Sequence, residues 1–254
     1  MPHMTTPGAR MTRRAALAAL ALLGGTLAVT GLPGPTGQPV GENEKGLAGR
    51  ARRALRPLRT GMAHAAQGAV SLPPPDISGT AGGAGNKTLM QALAARSSTR
   101  SFRDAPIPEQ VLGDLLWTAW GINRPDGRRT VPTARNRQGM DVYVIRADGA
   151  WRYDGSAHAL LPAATGDLRP LLARQSFVAA APLTLVYTAA TAEDPAYAAM
   201  HAGSMYQGAG LFCASAGLGN VVRASYDETA LHAALRLPAD RRIVISQTVG
   251  WPGN

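Results

Sequence analysis

The segment from Pro195 to Gly217 constrains the fold most, because it carries a long helical pattern built largely from alanine and glycine. Small side chains remove the bulk that normally keeps a neighbouring backbone at a distance, so the pattern predicts that another backbone approaches this helix closely. A membrane helix uses the same device, but His201, Gln207 and the amphipathic surroundings argue against burial in lipid. The small residues include Ala198, Ala199, Ala202, Gly203, Ser204, Gly208, Ala209 and Gly210.

A short basic segment, Arg96-Ser97-Ser98-Thr99-Arg100, is the strongest candidate for ligand binding. Thr88 and Gln91 have the spacing of a capping box, which predicts a helix over 89–95 that ends just before this segment. Two guanidinium groups with hydroxyls between them suit an oxyanion such as a phosphate, or the negative edge of a reduced ring system. A solvated basic helix end is the alternative, because basic residues favour helix C-termini.

Helical and strand patterns alternate from Lys87 onward, which predicts one folded domain of mixed class over 87–254. Asp148-Gly149-Ala150 separates two strand patterns and predicts a hairpin. The predicted helices beyond the first cover 111–122, 168–179, 195–217 and 227–236, and the predicted strands cover 141–147, 151–154, 183–189, 220–224 and 242–249.

The first 86 residues differ in composition from the rest of the chain. Arg13 and Arg14 precede an uncharged apolar run over 15–29, too short for a membrane span of about 20 residues. Residues 1–30 therefore predict an export signal, specifically of the twin-arginine type, with an uncleaved anchor or a chance apolar run as the alternatives. Residues 31–86 are rich in Gly, Pro and Arg and predict a disordered linker.

Composition also limits the partners and the chemistry of the chain. The net charge of +10 is concentrated towards the N-terminus, where residues 1–86 carry nine Lys/Arg against three Asp/Glu, so it gives weak support for a nucleic-acid groove. The single cysteine, Cys213, excludes an internal disulfide, and its helical context favours a buried, inert thiol. The five histidines show no zinc-motif spacing. We expect neither a nucleic-acid partner nor a metal, and membrane contact only through an uncleaved leader.

Three segments follow one another with a characteristic order and spacing. The basic segment 96–100 leads to Phe102, the segment 112–124 follows and contains a helix end near Trp120-Gly121, and the loop 130–138 runs into a strand. This arrangement resembles the nitroreductase-like flavoprotein family, whose members open with R-x-S-x-R-x-F, continue with a helix ending near W-A-A-x-G, and then carry a P-S-x-x-N-x-Q loop. Further correspondence comes from Gly203, Gln207, the turn 217–219 and the closing strand 243–250 before Trp251-Pro252.

The resemblance implies an α+β fold in which helices flank a central, mostly antiparallel sheet, assembled as an intertwined homodimer with FMN bound between the subunits. In relatives, the arginines and serines of the opening segment contact the phosphate, ribityl chain and pyrimidine edge of the flavin. The later loop reaches the flavin from the other subunit, and a turn after the small-residue helix presents a backbone N–H to the reactive N5. The corresponding cofactor-binding residues here are Arg96, Ser97, Ser98 and Arg100, then Thr133, Ala134 and Asn136, then Arg223, Ala224 and Ser225.

Two departures from the family pattern change what these residues are expected to do. Ala224 stands where many relatives carry a glutamate beside N5, so no acidic group is expected there. Many relatives supply basic residues to the phosphate beyond the G-x-P turn, whereas this sequence runs only to Asn254. We therefore expect the phosphate to depend more heavily on Arg96, or on Arg135 or Arg137.

Together with the predicted export signal, the resemblance implies an exported, FMN-dependent oxidoreductase that acts on a small organic substrate by ping-pong chemistry. Cytoplasmic relatives take hydride from NAD(P)H, whereas an exported enzyme would need a quinol, a thiol or a redox partner as donor. A dehydrogenase of azolines or other heterocycles is one alternative, because the approach 127–132 and the strand 151–154 resemble that branch equally well. A flavin-binding or ligand-binding protein without turnover is another.

Overall fold

The computed structural model describes residues 68–78 and 87–253, which form an antiparallel sheet with helices on both faces. Within this part of the chain, eight strands pair in the order β1-β5-β4-β3-β6-β8-β2, and β7 pairs with β8. The strands are β1 (Val70–Ser71), β2 (Phe102–Arg103), β3 (Met140–Arg146), β4 (Gly149–Asp154), β5 (Ala159–Thr165), β6 (Leu183–Ala190), β7 (Gly219–Arg223) and β8 (Arg241–Pro252). The helices are α1 (Leu89–Ala95), α2 (Glu109–Trp120), α3 (Arg169–Leu172), α4 (Phe177–Ala180), α5 (Pro195–Ala216) and α6 (Glu228–Ala234).

The two faces of the sheet carry two separate hydrophobic clusters, as the alternation of side chains along a strand requires. On β3, Val142 and Val144 face the cluster that includes α2 and α5, whereas Tyr143 and Ile145 face the cluster that includes α3 and α6. The expected α+β class, with a mostly antiparallel sheet flanked by helices, is therefore confirmed.

Helix α5 is the central helix of the first face, and its boundaries agree with the predicted helix over 195–217. Asp194 caps its N-terminus by accepting from Ala196 N, and Gly217 ends it in a left-handed conformation at φ 74°. A Cβ on Gly208 would lie 3.4 Å from Thr118 O of α2, and one on Gly210 would lie 3.3 Å from an Asn220 amide oxygen. These two glycines therefore admit close neighbours from the same chain, which the sequence pattern alone did not specify.

Residues 68–78 lie within the predicted linker, but the structure packs them onto the domain. Val70 and Ser71 pair with Leu160 and Ala159 of β5, and Leu72 is buried in the first cluster. Three neighbouring prolines then cross α2, where Gln110 Nε2 donates to Pro74 O at 2.8 Å. The folded domain therefore begins before Lys87, and we call residues 68–78 the strap.

Two further elements differ from the expectations. The helix predicted over 168–179 is divided into α3 and α4, because the polar residues 174–176 between them are exposed and give a continuous helix nothing to bury there. Strand β5 was not predicted, because Pro162 interrupts its pattern. Pro162 pairs with Trp151 of β4, next to a register shift between Ala150 and Trp151.

In the part of the chain that the structure describes, no helix has both the length and the apolar character needed to cross a membrane. The predicted export signal over 1–30, with Arg13 and Arg14, lies outside the described residues, as does most of the predicted linker.

Candidate functional site

The basic segment 96–100 begins where α1 ends, as the capping box predicts. Gln91 N donates to Thr88 Oγ1 at 3.3 Å, and Thr88 N donates to Gln91 Oε1 at 2.9 Å. Arg96 closes the helix in an extended conformation, with its N–H donating to Ala92 O at 2.9 Å. Since the chain leaves the helix extended at Arg96, the following serines do not continue the helical surface.

Strand β7 holds this segment in place through backbone contacts. Thr99 N donates to Asn220 O at 2.9 Å, and Ser98 forms an isolated parallel bridge with Asn220. Gly219 makes the approach possible, because a Cβ there would lie 2.6 Å from the Thr99 side chain. Segment 96–100 therefore lies beside the start of β7, the strand whose other end leads to the third group of predicted site residues, 223–225.

The side chains of the segment are open to solvent. Arg96, Ser97, Ser98 and Arg100 are all exposed. Neither Arg96 nor Arg100 has a hydrogen bond or an ion pair from its guanidinium to any residue of the described ranges 68–78 and 87–253. These two cations therefore retain all their donors for an external anion.

A buried hydrogen-bond chain from Tyr187 through Gln247 holds the Asn220 side chain. Tyr187 OH donates to Gln247 Oε1 at 2.6 Å, and Gln247 Nε2 donates to Asn220 Oδ1 at 2.9 Å. Tyr187 and Gln247 are fully buried, and burial holds the pKa of Tyr187 far above its usual range, so the phenol remains a donor. This network fixes the residue on which the basic segment rests, and the sequence pattern gave no signal for it.

The turn at 223–225 is held by a buried arginine. Arg223 Nη1 donates to Ser225 O at 3.0 Å, Nη2 donates to Leu172 O at 3.0 Å and Nε donates to Thr248 Oγ1 at 3.2 Å. Burial lowers the pKa of Arg223, but its three hydrogen bonds keep the guanidinium turned inward. The Arg223 side chain stabilises the turn and Ala224 is exposed, so a flavin contact at this position stays a prediction for the backbone beside Ala224.

The second predicted loop, 133–138, is tightly wound and conformationally costly. Ala134–Asn136 form a 3-10 turn, and Arg135, Asn136 and Gln138 have φ values of 53°, 52° and 51°. Left-handed conformations are unfavourable for residues other than glycine, so contacts from elsewhere in the fold must maintain them. Arg135 and Asn136 are both exposed at the tip of the loop.

Gln138 provides several of these contacts. Its N donates to Thr133 Oγ1 at 3.3 Å, and its Nε2 donates to Asn136 Oδ1 at 3.1 Å. Its Oε1 accepts from Arg129 Nε at 2.9 Å, and Arg129 stacks over the Trp120 ring at 4.4 Å. The side chain of Asn136 is thus oriented by α2 and the loop that follows it.

Two other residues anchor the same loop. Arg137 Nη1 lies 3.6 Å from Glu193 Oε1, and Glu193 is almost completely buried. Ala134 N donates to His201 Nε2 on α5 at 2.8 Å. Because the chain itself neutralises Arg137, Arg135 is the better candidate of the two for an external phosphate.

The described chain does not bring the two exposed groups together. Loop 133–138 contacts α5 at His201. Asn220, to which segment 96–100 is bonded, lies beside α5 at Gly210. Nine residues separate these positions, which corresponds to about 13 Å of helix. Within the described chain, the two groups are thus anchored at different positions along α5, and no hydrogen bond or ion pair joins Thr133, Ala134 or Asn136 to the basic segment.

Other chemistry is limited in the described part of the chain. Burial raises the pKa of the Cys213 thiol, which is consistent with the inert cysteine that its context predicts. The residues that the structure describes contain no group of three His, Cys, Asp or Glu side chains suited to a metal. A cavity of about 300 Å³ lies between β3 and the chain leading into α2, with Asp104, Arg146 and Arg169 in its lining, but it contains none of the predicted site residues.

The chain belongs to the nitroreductase family, whose model matches residues 93–251. A nitroreductase-family protein of Ralstonia eutropha JMP134 has a crystal structure with 37% sequence identity and a TM-score of 0.67, covering 73% of this chain and 90% of that chain. A nitroreductase-family protein of Methanocaldococcus jannaschii is 28% identical over 158 residues, which is 55% of this chain and 80% of that protein. A Desulfovibrio desulfuricans nitroreductase-family structure in complex with FMN shares the fold at 20% identity and a TM-score of 0.50, covering 66% of this chain and 88% of that chain.

Proposed function

We propose that the chain is an FMN-dependent oxidoreductase that uses the exposed segment 96–100 to hold the flavin. The observation that carries the proposal is the pair Arg96 and Arg100, two exposed guanidiniums that have no partner among the described residues, on a segment whose backbone is bonded to Asn220. Nitroreductase-family membership supports flavin chemistry in general, and the FMN complex of the Desulfovibrio desulfuricans relative indicates which flavin.

The donor set suits FMN, because a phosphate monoester and a polar ring edge both need charged or hydroxyl donors. Arg96 would bind the phosphate, while Ser97 and Ser98 would donate to the phosphate or the ribityl chain. Arg100 would place a positive charge at the pyrimidine edge, where negative charge collects on reduction. FMN itself supplies the hydride and electron transfer when bound, so no protein nucleophile is required.

The turn 223–225 would present a backbone N–H to the flavin ring. Arg223 holds this turn by donating to Ser225 O, and Ser246 Oγ donates to Arg223 O at 2.8 Å, so the backbone there is braced from two sides. Ala224 carries no ionisable group, so the turn contributes hydrogen bonding without an acidic side chain. This backbone would orient the ring, and Ala224 would supply no proton at that position.

We further propose that two copies of the chain form each site. The loop 133–138 presents Arg135 and Asn136 outward and is anchored at His201, about 13 Å along α5 from the Gly210 position beside Asn220, so we propose that it completes the site of a second subunit. Exposed apolar side chains on α1 and α5 support a covered surface, since Met90 is 73% exposed and Met200 is 64% exposed. A homodimer would bury these side chains and bring the two groups of residues together.

The direct test is the colour of the purified full chain. We expect a yellow protein that releases FMN on heating. Arg96→Ala should weaken FMN binding by about 1.5–3 kcal/mol, the scale of a charge-assisted contact. Arg174→Ala removes an exposed arginine outside the predicted site and is the matched control, for which we expect unchanged affinity. A colourless protein whose thermal stability does not respond to added FMN would refute the proposal.

We also propose that Arg13 and Arg14 direct export of the folded chain. A twin-arginine route suits a flavoprotein, because it carries folded proteins whose flavin is loaded in the cytoplasm. An exported enzyme would then need a donor other than cytoplasmic NAD(P)H. Changing both arginines to lysine should retain the flavin-loaded protein in the cytoplasm, as measured by cell fractionation. Equal export of the double variant would reject this route.

A further inference from the structure

His201 is a buried histidine on α5 whose two ring nitrogens have different surroundings. Nε2 accepts from Ala134 N at 2.8 Å, and Nδ1 is buried without a hydrogen-bond partner among the described residues. The Tyr197 ring lies nearly parallel to the imidazole, with centroids 6.3 Å apart and an angle of 13°. The side chain is only 4% exposed, so these contacts determine its state.

The Ala134 contact fixes where the imidazole carries its proton. A backbone N–H is always a donor, so Nε2 must offer its lone pair and carry no hydrogen. The neutral ring therefore carries its proton on Nδ1, where the structure provides no acceptor within the described chain. A buried Nδ1–H without an acceptor is unfavourable. The hydrogen bond from Ala134 N to Nε2 therefore comes with the energetic cost of that unpaired donor.

That contact holds the start of a conformationally costly loop. Arg135, Asn136 and Gln138 all have left-handed φ values, and Ala134 immediately precedes them. On the other side of the turn, Glu193 holds Arg137 and Arg129 holds Gln138. His201 is the anchor on the N-terminal side, and without it Ala134 would lose the hydrogen bond that ties the loop to α5.

We infer that His201 is a positioning residue for the flavin loop 133–138. It acts by accepting the Ala134 N–H through an unprotonated Nε2, which keeps Arg135 and Asn136 presented outward for the flavin of a second subunit. The part that concerns flavin rests on the proposed function, whereas the ordering of the loop by His201 does not. His201 therefore acts through the loop, without itself touching the cofactor.

Two substitutions separate the hydrogen bond from packing. His201→Phe keeps a planar ring in the same space but offers no acceptor, whereas His201→Gln offers Oε1 at a similar reach. We expect His201→Phe to raise the Kd for FMN about tenfold, the scale of one buried donor left unpaired. His201→Gln should restore most of the affinity. FMN binding is measured on the full chain by quenching of flavin fluorescence.

Amide hydrogen exchange of the loop provides a readout that needs no flavin. Residues 134–138 should exchange faster in His201→Phe than in the parent chain and return towards parental protection in His201→Gln. Leu231→Ala, in the cluster on the opposite face of the sheet, is the control for general loss of stability, and its loop should stay protected.

The outcomes distinguish this inference from the proposed function. Equal loop exchange in the parent chain and His201→Phe would overturn the inference, as would equal effects of Phe and Gln. If the parent chain does not bind FMN but His201→Phe still loosens the loop, the proposed function fails and the positioning role of His201 stands.

Discussion

The arginine side chains near the candidate site fall into two groups. Some have hydrogen bonds or an ion pair within the described chain, and others do not. Arg223 makes three internal hydrogen bonds, and Arg137 pairs with buried Glu193. Arg96, Arg100 and Arg135 are exposed and have no partner for their guanidinium groups within residues 68–78 and 87–253. Sequence alone could identify candidate cations, but their partners come from distant segments, so it could not tell which would be free to bind an anion.

The reactivity of the Cys213 thiol can be predicted without reference to flavin. The thiol is fully buried, and burial raises its pKa, so the thiolate that reacts with disulfide reagents is absent at pH 8. It is the only cysteine of the chain. We expect no reaction with an aromatic disulfide reagent in the native state and one thiol per chain after denaturation. Rapid and complete reaction of the native protein would contradict the burial.

Among the elements, those with a regular pattern were predictable and those that depend on distant partners were not. Helix α5 and strand β6 were predicted nearly to the residue, because a periodic or β-branched apolar pattern identifies its own element. The strap was assigned to the linker, since its prolines predict a turn and only β5 and α2 make it ordered. The local sequence did not predict the left-handed backbone of the three residues in loop 133–138 either.

The strap is expected to contribute to the stability of the domain through Leu72. Leu72 is 7% exposed and packs in the main core, whereas Val70, two residues earlier in the same segment, is 37% exposed. Leu72→Ala should reduce the free energy of unfolding by about 2–4 kcal/mol, as large-to-small changes in a core do. Val70→Ala is the matched control and should cost under about 1 kcal/mol, both measured by denaturant titration. Equal small losses would mean that the strap does not contribute to the domain.

In the whole molecule, we propose that one surface builds both the dimer and the flavin site. The glycines of α5 separate into two groups on this point. Gly208 and Gly210 are explained by Thr118 and Asn220 of the same chain. Gly203 is not, since among the described residues the nearest neighbour of a Cβ there would be Tyr206 OH at 3.7 Å. We propose that its small size admits a second subunit.

The most direct test measures sedimentation and flavin content on the same preparation of Gly203→Leu. A Cβ at this position would make only ordinary van der Waals contacts with the described residues, so we expect Gly203→Leu to leave the fold intact while overpacking the proposed interface by about 1–3 kcal/mol or more. Gly203→Ala adds only a methyl group and is the control that should remain a yellow dimer. We expect Gly203→Leu to sediment as a folded, colourless monomer. A monomer with full FMN occupancy would show that the site is not shared between subunits.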